Sequence, residues 1–482
     1  MKKPHILAAG ALAFLLPHAT FAQEAVAAPA PEGGVNPAQE ALPPAAVETK
    51  NKDSWLSYGG DFRARYESFD HVPVTGPISD YWSFFRFRSR LFAKIDLGDF
   101  TFHTRAVNEW RKFHNRHGRN SYPFSDELVF DLLYAEFRND CLGFPMRLRV
   151  GRQEIMDLGS LRVLGEGTAG DGSRTFTFNA ARLTLTPVEK VDIDFLGIYN
   201  RWYDALAIGG LDGDIVRDRK RDLNGNRSDE GGAGVYLTDK RDADLNYEAY
   251  YLWKHETKDA RGRVAGGDGR DTHTLGTRLL PKLTDSLSGE LEVAGQLGRT
   301  EDHRAIHAYM LHAGLTQTFD PFNKLTPYVS AAAAVFSGDK DESTGHISGW
   351  NPMWGRLPQY GDLSGMQYPG MSFWYQNLVY PHLELGFKND ERNPNLRHYL
   401  RFQTGPMFAQ RVNGSDVSAA AAGDSRYRGW HFFSQYGVPL VKEAGPLKAL
   451  TAMVEADCIL PGNYFDQASP VYFLRFQLQA AF

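Results

Sequence analysis

The last twelve residues, 471–482, read VYFLRFQLQAAF and alternate to the end of the sequence. Tyr472, Leu474, Phe476, Leu478, Ala480 and Phe482 are apolar, and between them stand Phe473, Arg475, Gln477, Gln479 and Ala481, mostly polar. Side chains of a strand point to opposite faces in turn, so this pattern specifies a strand with one apolar and one wet face. Free chain ends usually fray and stay polar, which makes the pattern a strong constraint. The same alternation recurs through the chain. In SYGGDFRARYES, Tyr58, Phe62, Ala64 and Tyr66 oppose Asp61, Arg63, Arg65 and Glu67. In FFRFRSRLFAKIDLG, Phe85, Phe87, Leu91, Ala93, Ile95 and Leu97 alternate with Arg86, Arg88, Arg90, Lys94 and Asp96. In LSGELEVAGQLG, Leu287, Leu291, Val293 and Leu297 alternate with Glu290, Glu292 and Gln296.

About eighteen such segments follow from this period: 55–68, 82–97, 99–111, 127–139, 146–155, 178–187, 190–200, 232–239, 243–256, 271–282, 285–299, 304–319, 325–338, 376–389, 396–411, 428–438, 446–458 and 470–482. Many hold roughly ten to sixteen residues, where globular sheets favour ~5–6 and a tilted bilayer crossing needs ~9–11. Short connections alternate with long ones. The short set is 97–99, 139–145, 187–190, 240–243, 281–285, 320–325, 389–395 and 439–445; the long set is 112–126, 156–177, 201–231, 257–270, 339–375 and 412–427, with 300–303 a short exception. Short turns on one side and long loops on the other are the habit of an outer-membrane barrel. Trp55, Trp82, Trp110, Tyr66, Tyr134 and Tyr472 fall near segment ends, where interface girdles sit. The expectation is all-β: a single closed antiparallel transmembrane β-barrel of about 18 strands. Its final strand must pair with its first, because an open edge would face lipid with unmet N–H and C=O groups.

The N-terminal residues read as a secretory signal over 1–22. Lys2 and Lys3 supply charge, residues 6–16 an apolar run, and Thr20-Phe21-Ala22 a cleavage site. Residues 23–53 are rich in Ala, Pro and Glu and read as a disordered periplasmic leader, leaving 54–482 for the barrel. The net charge of −5 argues against a general nucleic-acid surface. After the N-terminus no run reaches the ~18 apolar residues of a membrane helix. Cys141 and Cys458 are expected on opposite sides of the membrane core, beyond disulfide reach, as two free thiols.

The residues that carry chemistry are arginines on the polar faces: Arg63, Arg65, Arg86, Arg88, Arg90, Arg105, Arg138, Arg147, Arg149, Arg152, Arg182 and Arg401. Guanidinium stays charged and grips carboxylates with a two-pronged fork, so arginines lining a pore favour anions. The alternative is structural. Asp61, Glu67, Glu109, Glu136, Asp192, Asp194, Glu290, Glu292 and Glu384 are expected on the same face and could brace the wall as ion pairs. The run Arg86-x-Arg88-x-Arg90 is the best candidate for a net positive strip. A weaker calcium pattern lies in RDLNGNRSDE, with Asp222, Asn224, Asn226 and Asp229, although Arg227 stands where the loop needs Gly and Ala233 where it needs Glu. His303 with His307, and His114 with His117, lie too far apart along a strand to share a metal. GEGTAG at 165–170 opens no helix and reads as a loop. No nucleophile–base signature stands out, and no cofactor is expected.

Several stretches resemble the alginate export family: LRVGRQEI (148–155), DGSRTFTFNAARLTL (171–185), DFLGIYN (194–200), HTLGTRL (273–279), and FSGDKD (336–341) leading into WNPMWGR. The resemblance spans about 55–482. It implies an eighteen-stranded outer-membrane channel for an acidic polysaccharide, in which loops can obstruct the pore; 201–231 and 339–375 are long enough for that. Uronate chains carry one carboxylate per sugar, which a ladder of arginines could pass along. The implied partners are outer-membrane lipid, anionic saccharide or small-anion solutes, and the barrel assembly machinery, which would read the aromatic C-terminal strand ending in Phe482. Two rival readings stay open: a general diffusion porin with no polysaccharide role, and a secreted soluble β protein such as a polysaccharide lyase.

Overall fold

A computed structural model describes residues 55–71, 81–114, 127–141, 143–159, 161–165, 177–201, 206–209, 228–257, 269–339, 345–355, 360–361, 363, 376–389, 397–412, 423–466 and 468–482. The strands in chain order are β1 (Leu56–Asp70), β2 (Trp82–Asp96), β3 (Phe100–Phe113), β4 (Glu127–Cys141), β5 (Phe144–Gln153), β6 (Phe178–Val188) and β7 (Val191–Asn200). There follow β8 (Ala207–Gly209), β9 (Glu230–Asp239), β10 (Leu245–Glu256), β11 (Arg270–Pro281), β12 (Leu287–Thr300), β13 (Ala305–Thr318) and β14 (Leu325–Phe336). The last are β15 (His346–Ile347), β16 (Leu378–Asn389), β17 (Tyr399–Phe408), β18 (Tyr427–Ala444), β19 (Leu447–Pro461) and β20 (Val471–Ala481).

Among the described residues, the eighteen strands other than β8 and β15 form one antiparallel ring. β1 pairs with β2 on one side and with β20 on the other, in the register Asp61↔Ala481 through Asp70↔Tyr472. Gly60 and Phe482 exchange backbone hydrogen bonds of 2.9 and 3.0 Å at the seam. β8 pairs with β4, and β15 runs parallel to β13, so both sit outside the ring's pairing order. The tight connections between β2 and β3, β4 and β5, β6 and β7, and β18 and β19 gather at one end, with Leu56 and Phe482. The longer ones lie at the other.

The two faces divide as the period demands. Along β20 burial alternates residue by residue, with Arg475, Gln477 and Gln479 buried and Tyr472, Phe476 and Leu478 exposed. Tyr58, Leu91, Leu275 and Leu297 are likewise exposed, whereas Arg63, Arg65, Glu67 and Arg90 are at most 1% exposed. An apolar exterior this extensive would drive a water-soluble monomer to aggregate. In a bilayer it contacts hydrocarbon, and the closed ladder leaves no strand edge unmet, which would cost several kcal/mol per group. No helix among the described residues is long and apolar enough to cross a membrane; the strands do so. The soluble β reading is therefore set aside in favour of an outer-membrane barrel.

Three sequence expectations need correction. Residues 439–445 are not a turn: β18 runs through Pro439 to Ala444, with a register shift between Pro439 and Val441 that accommodates the missing N–H. The turn is only 445–446. Trp82 does not join an outer girdle; it stacks on Phe69 at 4.2 Å, against the core. Tyr134 is also turned inward, hydrogen-bonded to His103 at 2.9 Å under the Arg149 guanidinium. Trp110 does sit on the outer face, stacked on Phe87 at 4.4 Å, as does Tyr66 beside Phe85. Cys458 forms no disulfide and lies on β19 opposite Tyr472, toward the long-loop end, while Cys141 ends β4 at the short-turn end.

Candidate functional site

The ring's register sets arginines against one another. Arg63 lies directly opposite Arg88, Arg65 opposite Arg86, and Arg86 in turn opposite Arg111 on β3. All four residues of the β1–β2 block are buried. Like charges directly opposite repel, so the acids around them matter. Glu67 is shared by Arg86 (2.9 Å), Arg475 (2.8 Å) and, at 3.7 Å, Arg65. Asp61 takes Arg90 (2.7 Å) and Arg88 (3.4 Å), and Glu109 takes Arg63 (3.4 Å). Arg475 reaches on to Glu455 at 3.1 Å. In these contacts four acids, Glu67, Asp61, Glu109 and Glu455, serve six arginines.

Elsewhere the pairing is tighter. Arg105 grips Asp131 with two bonds of 2.9 Å and also meets Glu154. Arg182 holds Asp157 at 2.7 and 3.0 Å and Asp194 at 2.7 Å. Arg138 and Arg149 share Glu136, and Arg401 meets Glu384 at 2.6 Å. Arg147 donates to Thr184 at 3.4 Å; Arg152 donates to Asn179 and to the Phe130 carbonyl, both at 3.0 Å. The candidate arginines thus fall into one crowded cationic block on β1 and β2, and a dispersed set on β3–β6 and β17 that is ion-paired or, for Arg147 and Arg152, hydrogen-bonded to neutral groups.

A second feature had no periodic signal. Two long connections fold into the barrel and pack against its inner wall. The first covers 154–159 and 161–165 and buries Ile155, Leu158, Leu161, Val163 and Leu164; the second includes 345–355, 360–361 and 363, with Trp350, Met353, Trp354, Tyr360 and Leu363 buried. They meet at a parallel bridge, Leu164↔Trp354, with the Trp354 backbone N–H donating to the Val163 carbonyl at 2.9 Å. Leu161 and Met353, flanking this junction, have φ of 65° and 59°, left-handed values that bulky residues rarely hold. Gly355 is required here, because a Cβ would lie 2.5 Å from the Arg162 carbonyl oxygen. At Gly232 on β9 a Cβ would strike the Trp354 ring at 2.4 Å.

Polar contacts fasten these segments to the wall. Arg162 donates to Glu290 at 2.7 Å and to Glu292 at 2.8 Å on β12. Burial works against a charge on Arg162, yet Glu290, Tyr360 and Glu292 outweigh it and lift its pKa above the ordinary arginine value. Asn351 exchanges hydrogen bonds with Gln296, and Lys254 donates to the Met353 carbonyl at 2.8 Å. The Leu363 N–H donates to Asp457 at 2.9 Å, and Asp457 also accepts from His431, whose other ring nitrogen meets the Tyr380 hydroxyl at 2.7 Å. Of the two connections expected to be long enough to enter the pore, 339–375 does so in its described part, and 201–231 lies mostly outside the described residues. The 154–165 segment was not expected.

Arg162, Lys254, Arg278 and Arg428 are buried cations that alternation alone did not single out, and Arg475, placed by alternation on the polar face of the last strand, was not among the candidates. Arg278 joins Glu290 (2.9 Å) to Glu248 (3.2 Å), and Arg428 donates to the Asn377 carbonyl at 2.8 Å over the Tyr464 ring. Of the calcium candidates, Asp222, Asn224 and Asn226 lie outside the described residues. Asp229 instead ties the start of β9 to Thr257: its N–H donates to the Thr257 hydroxyl at 2.9 Å and its carbonyl accepts from the Thr257 N–H at 3.0 Å. His303 sits in the turn before β13, His307 on that strand's exposed face; His117 and residues 166–170 of the glycine-rich stretch lie outside the described residues.

The profile of the alginate export family matches residues 54–403, ending within β17. Compared by sequence with curated proteins, the chain matches none. Among solved structures it is similar to Pseudomonas aeruginosa OpdK with vanillate (12% identity, 88% of this chain and 98% of that chain, TM-score 0.49). It is similar to P. aeruginosa OprD (11%, 91% and 97%, 0.48) and to P. aeruginosa OccK11 (13%, 91% and 98%, 0.46). A lipid-facing ring of strands with a charged interior, matched over most of its length by this profile, is an outer-membrane channel, and the chain belongs to the alginate export family.

Proposed function

We propose that the protein is a passive channel for anionic solutes, saccharides bearing carboxylates among them, with the arginines of β1 and β2 giving the preference for negative charge. The observation that carries this reading is the facing of Arg63 with Arg88 and of Arg65 with Arg86 on the buried face, at higher density than the acids beside them. A wall built only for mechanical strength would pair each arginine with its own carboxylate, as Arg401 is paired with Glu384. The guanidinium groups of this block are at most 5% exposed, so it acts on passing anions through its electrostatic field, as a weak attraction, rather than by direct contact. The described parts of the two inserted connections, 154–159 with 161–165 and 345–355 with 360–361 and 363, narrow the route. Such a pore has no intrinsic direction. Residues 1–22 serve as the export signal in this reading, and the aromatic β20 as the segment read by the barrel assembly machinery.

The test is the reversal potential of single channels in planar bilayers under a potassium chloride gradient. Arg86→Ala, Arg88→Ala and Arg90→Ala together are expected to cut the anion preference. A reversal potential unmoved by the triple substitution would return these residues to wall bracing and leave a general porin.

A further inference from the structure

The outward face of β10–β13 changes character toward the long-loop end, and the register sets the change out in rows. Nearest the middle, Tyr251, Leu275, Gly295 and Tyr309 stand opposite one another. Two residues further along each strand, about 7 Å nearer the long-loop end, the row is Trp253, His273, Leu297 and His307. The next is His255, Asp271, Arg299 and Ala305, with His346 on β15 beside Ala305. Charged and imidazole groups are costly against hydrocarbon, so these two upper rows lie at headgroup depth. Hydrogen bonds preset one half of them. The Tyr251 hydroxyl meets His273 Nδ1 at 2.8 Å, and Asp271 accepts from the Trp253 indole N–H at 3.1 Å and from His255 at 3.0 Å. In the other half Arg299 and His307 are exposed and make no hydrogen bond or ion pair among the described residues; the His307 ring lies 5.9 Å from that of His346, centroid to centroid. Below them, a Cβ at Gly295 would meet nothing within 4 Å, so a dip opens in the wall between Leu275 and Tyr309, which are 68% and 51% exposed.

We propose that this face holds one saccharide-headed lipid of the outer leaflet, its sugar against Trp253, His273, Arg299 and His307 and an acyl chain along the dip at Gly295. The composition selects the headgroup. Arg299 faces Asp271 across the β11–β12 pair, so guanidinium, carboxylate, imidazole and indole N–H offer donors and acceptors in near balance. Sugar hydroxyls both give and take hydrogen bonds, whereas a bare phosphate only accepts them and is repelled by Asp271. Trp253, 36% exposed, presents an apolar ring with a polar tip at the depth where the headgroup begins. The dip at Gly295 lies two residues below Leu297 on the same strand, where an acyl chain continues from the headgroup into the membrane. The site is on the lipid face of the wall, so it stands whether or not the interior conducts anions.

The probe is monophosphoryl lipid A, whose headgroup is a disaccharide, with phosphatidylglycerol as competitor; each carries one phosphate, so the sugar is the difference. Native mass spectrometry of the whole protein, in a detergent without a sugar headgroup, should show one lipid A retained per barrel with about tenfold preference over phosphatidylglycerol. Arg299→Ala with His307→Ala should weaken retention about tenfold or more. Gly295→Leu fills the dip without touching a neighbour and should weaken it too, in a barrel that still folds. His398→Ala, an outward imidazole at the short-turn end, should leave it unchanged. Equal retention of the two lipids would overturn the saccharide assignment, and retention indifferent to both the double substitution and Gly295→Leu would overturn the location. A dimer in place of the lipid adduct, lost in the same variants, would give this face to a second copy of the chain and overturn the proposal. Bilayer selectivity should match the wild type in all these variants, so the lipid site and the anion channel fail separately.

Discussion

Replacing Arg162 with methionine removes the strongest tie between the inserted segments and the wall while conserving most of the side-chain volume. The guanidinium is 3% exposed and bonds Glu290 at 2.7 Å and Glu292 at 2.8 Å. Breaking a buried ion pair by deleting one partner typically costs about 3–5 kcal/mol. Here both acids keep another partner, Arg278 at 2.9 Å for Glu290 and the Tyr250 hydroxyl at 2.9 Å for Glu292. The low end is therefore expected, about 3 kcal/mol, which is on the order of a hundredfold in the balance between docked and released segments. Single-channel recording reads this directly: Arg162→Met should spend far more time in a higher-conductance state than the wild type. Limited proteolysis in the 345–355 stretch should quicken in parallel. If conductance histograms and cleavage rates coincide with the wild type, the segments are held by their apolar contacts alone, and the ion pair is incidental to narrowing the pore.

A Cβ at Gly232 would lie 2.2 Å from the Trp253 carbonyl oxygen on β10 and 2.4 Å from the Trp354 ring, so Gly232→Val should both displace Trp354 and disturb the β9–β10 ladder, raising conductance and lowering the unfolding midpoint; a variant unchanged in both would refute this packing. Glu67→Gln removes the acid shared by Arg65, Arg86 and Arg475, and should lower the urea unfolding midpoint by the equivalent of about 3–5 kcal/mol; a loss under ~1 kcal/mol would show the cluster to be more solvated than it looks. Deleting residues 479–482 takes away the partners of Asp61 and Arg63 at the seam, so the heat-modifiable folded band on gels should vanish; its retention would refute closure through β20. Alkylation of unreduced, denatured protein should label both Cys141 and Cys458, and a peptide pair joined by a disulfide would contradict their placement at opposite ends.

Much of the wall was legible because a two-sided strand writes its geometry into every second residue. Tyr58, Phe62 and Tyr66 against Arg63, Arg65 and Glu67 already give the two faces of β1. The same logic failed at Pro439, where a residue that usually ends a strand is absorbed at a register shift. It failed again for Trp82 and Tyr134, whose position near a strand end says nothing about which face they take. The inserted segments were illegible for a different reason. Ile155, Leu161, Val163 and Trp354 show no period, and their burial depends on meeting one another across nearly two hundred residues of sequence. The arginines were visible, but not their partners. Whether Arg88 faces an acid or another arginine is a matter of register, and a shift of one residue would have moved it to the lipid side.

The pairing of β1 with β20 has a consequence for how the molecule is made. Arg475 and Glu67, bonded at the seam, are separated by 408 positions. The first strand delivered therefore waits for nearly the entire polypeptide to arrive before its second neighbour exists. Throughout that wait it offers a sticky, half-bonded margin, the kind of surface that recruits stray strands. A safe itinerary needs an escort that occupies this margin and yields it only when the proper neighbour appears, so for this protein the hazard of biogenesis is concentrated at a single interface.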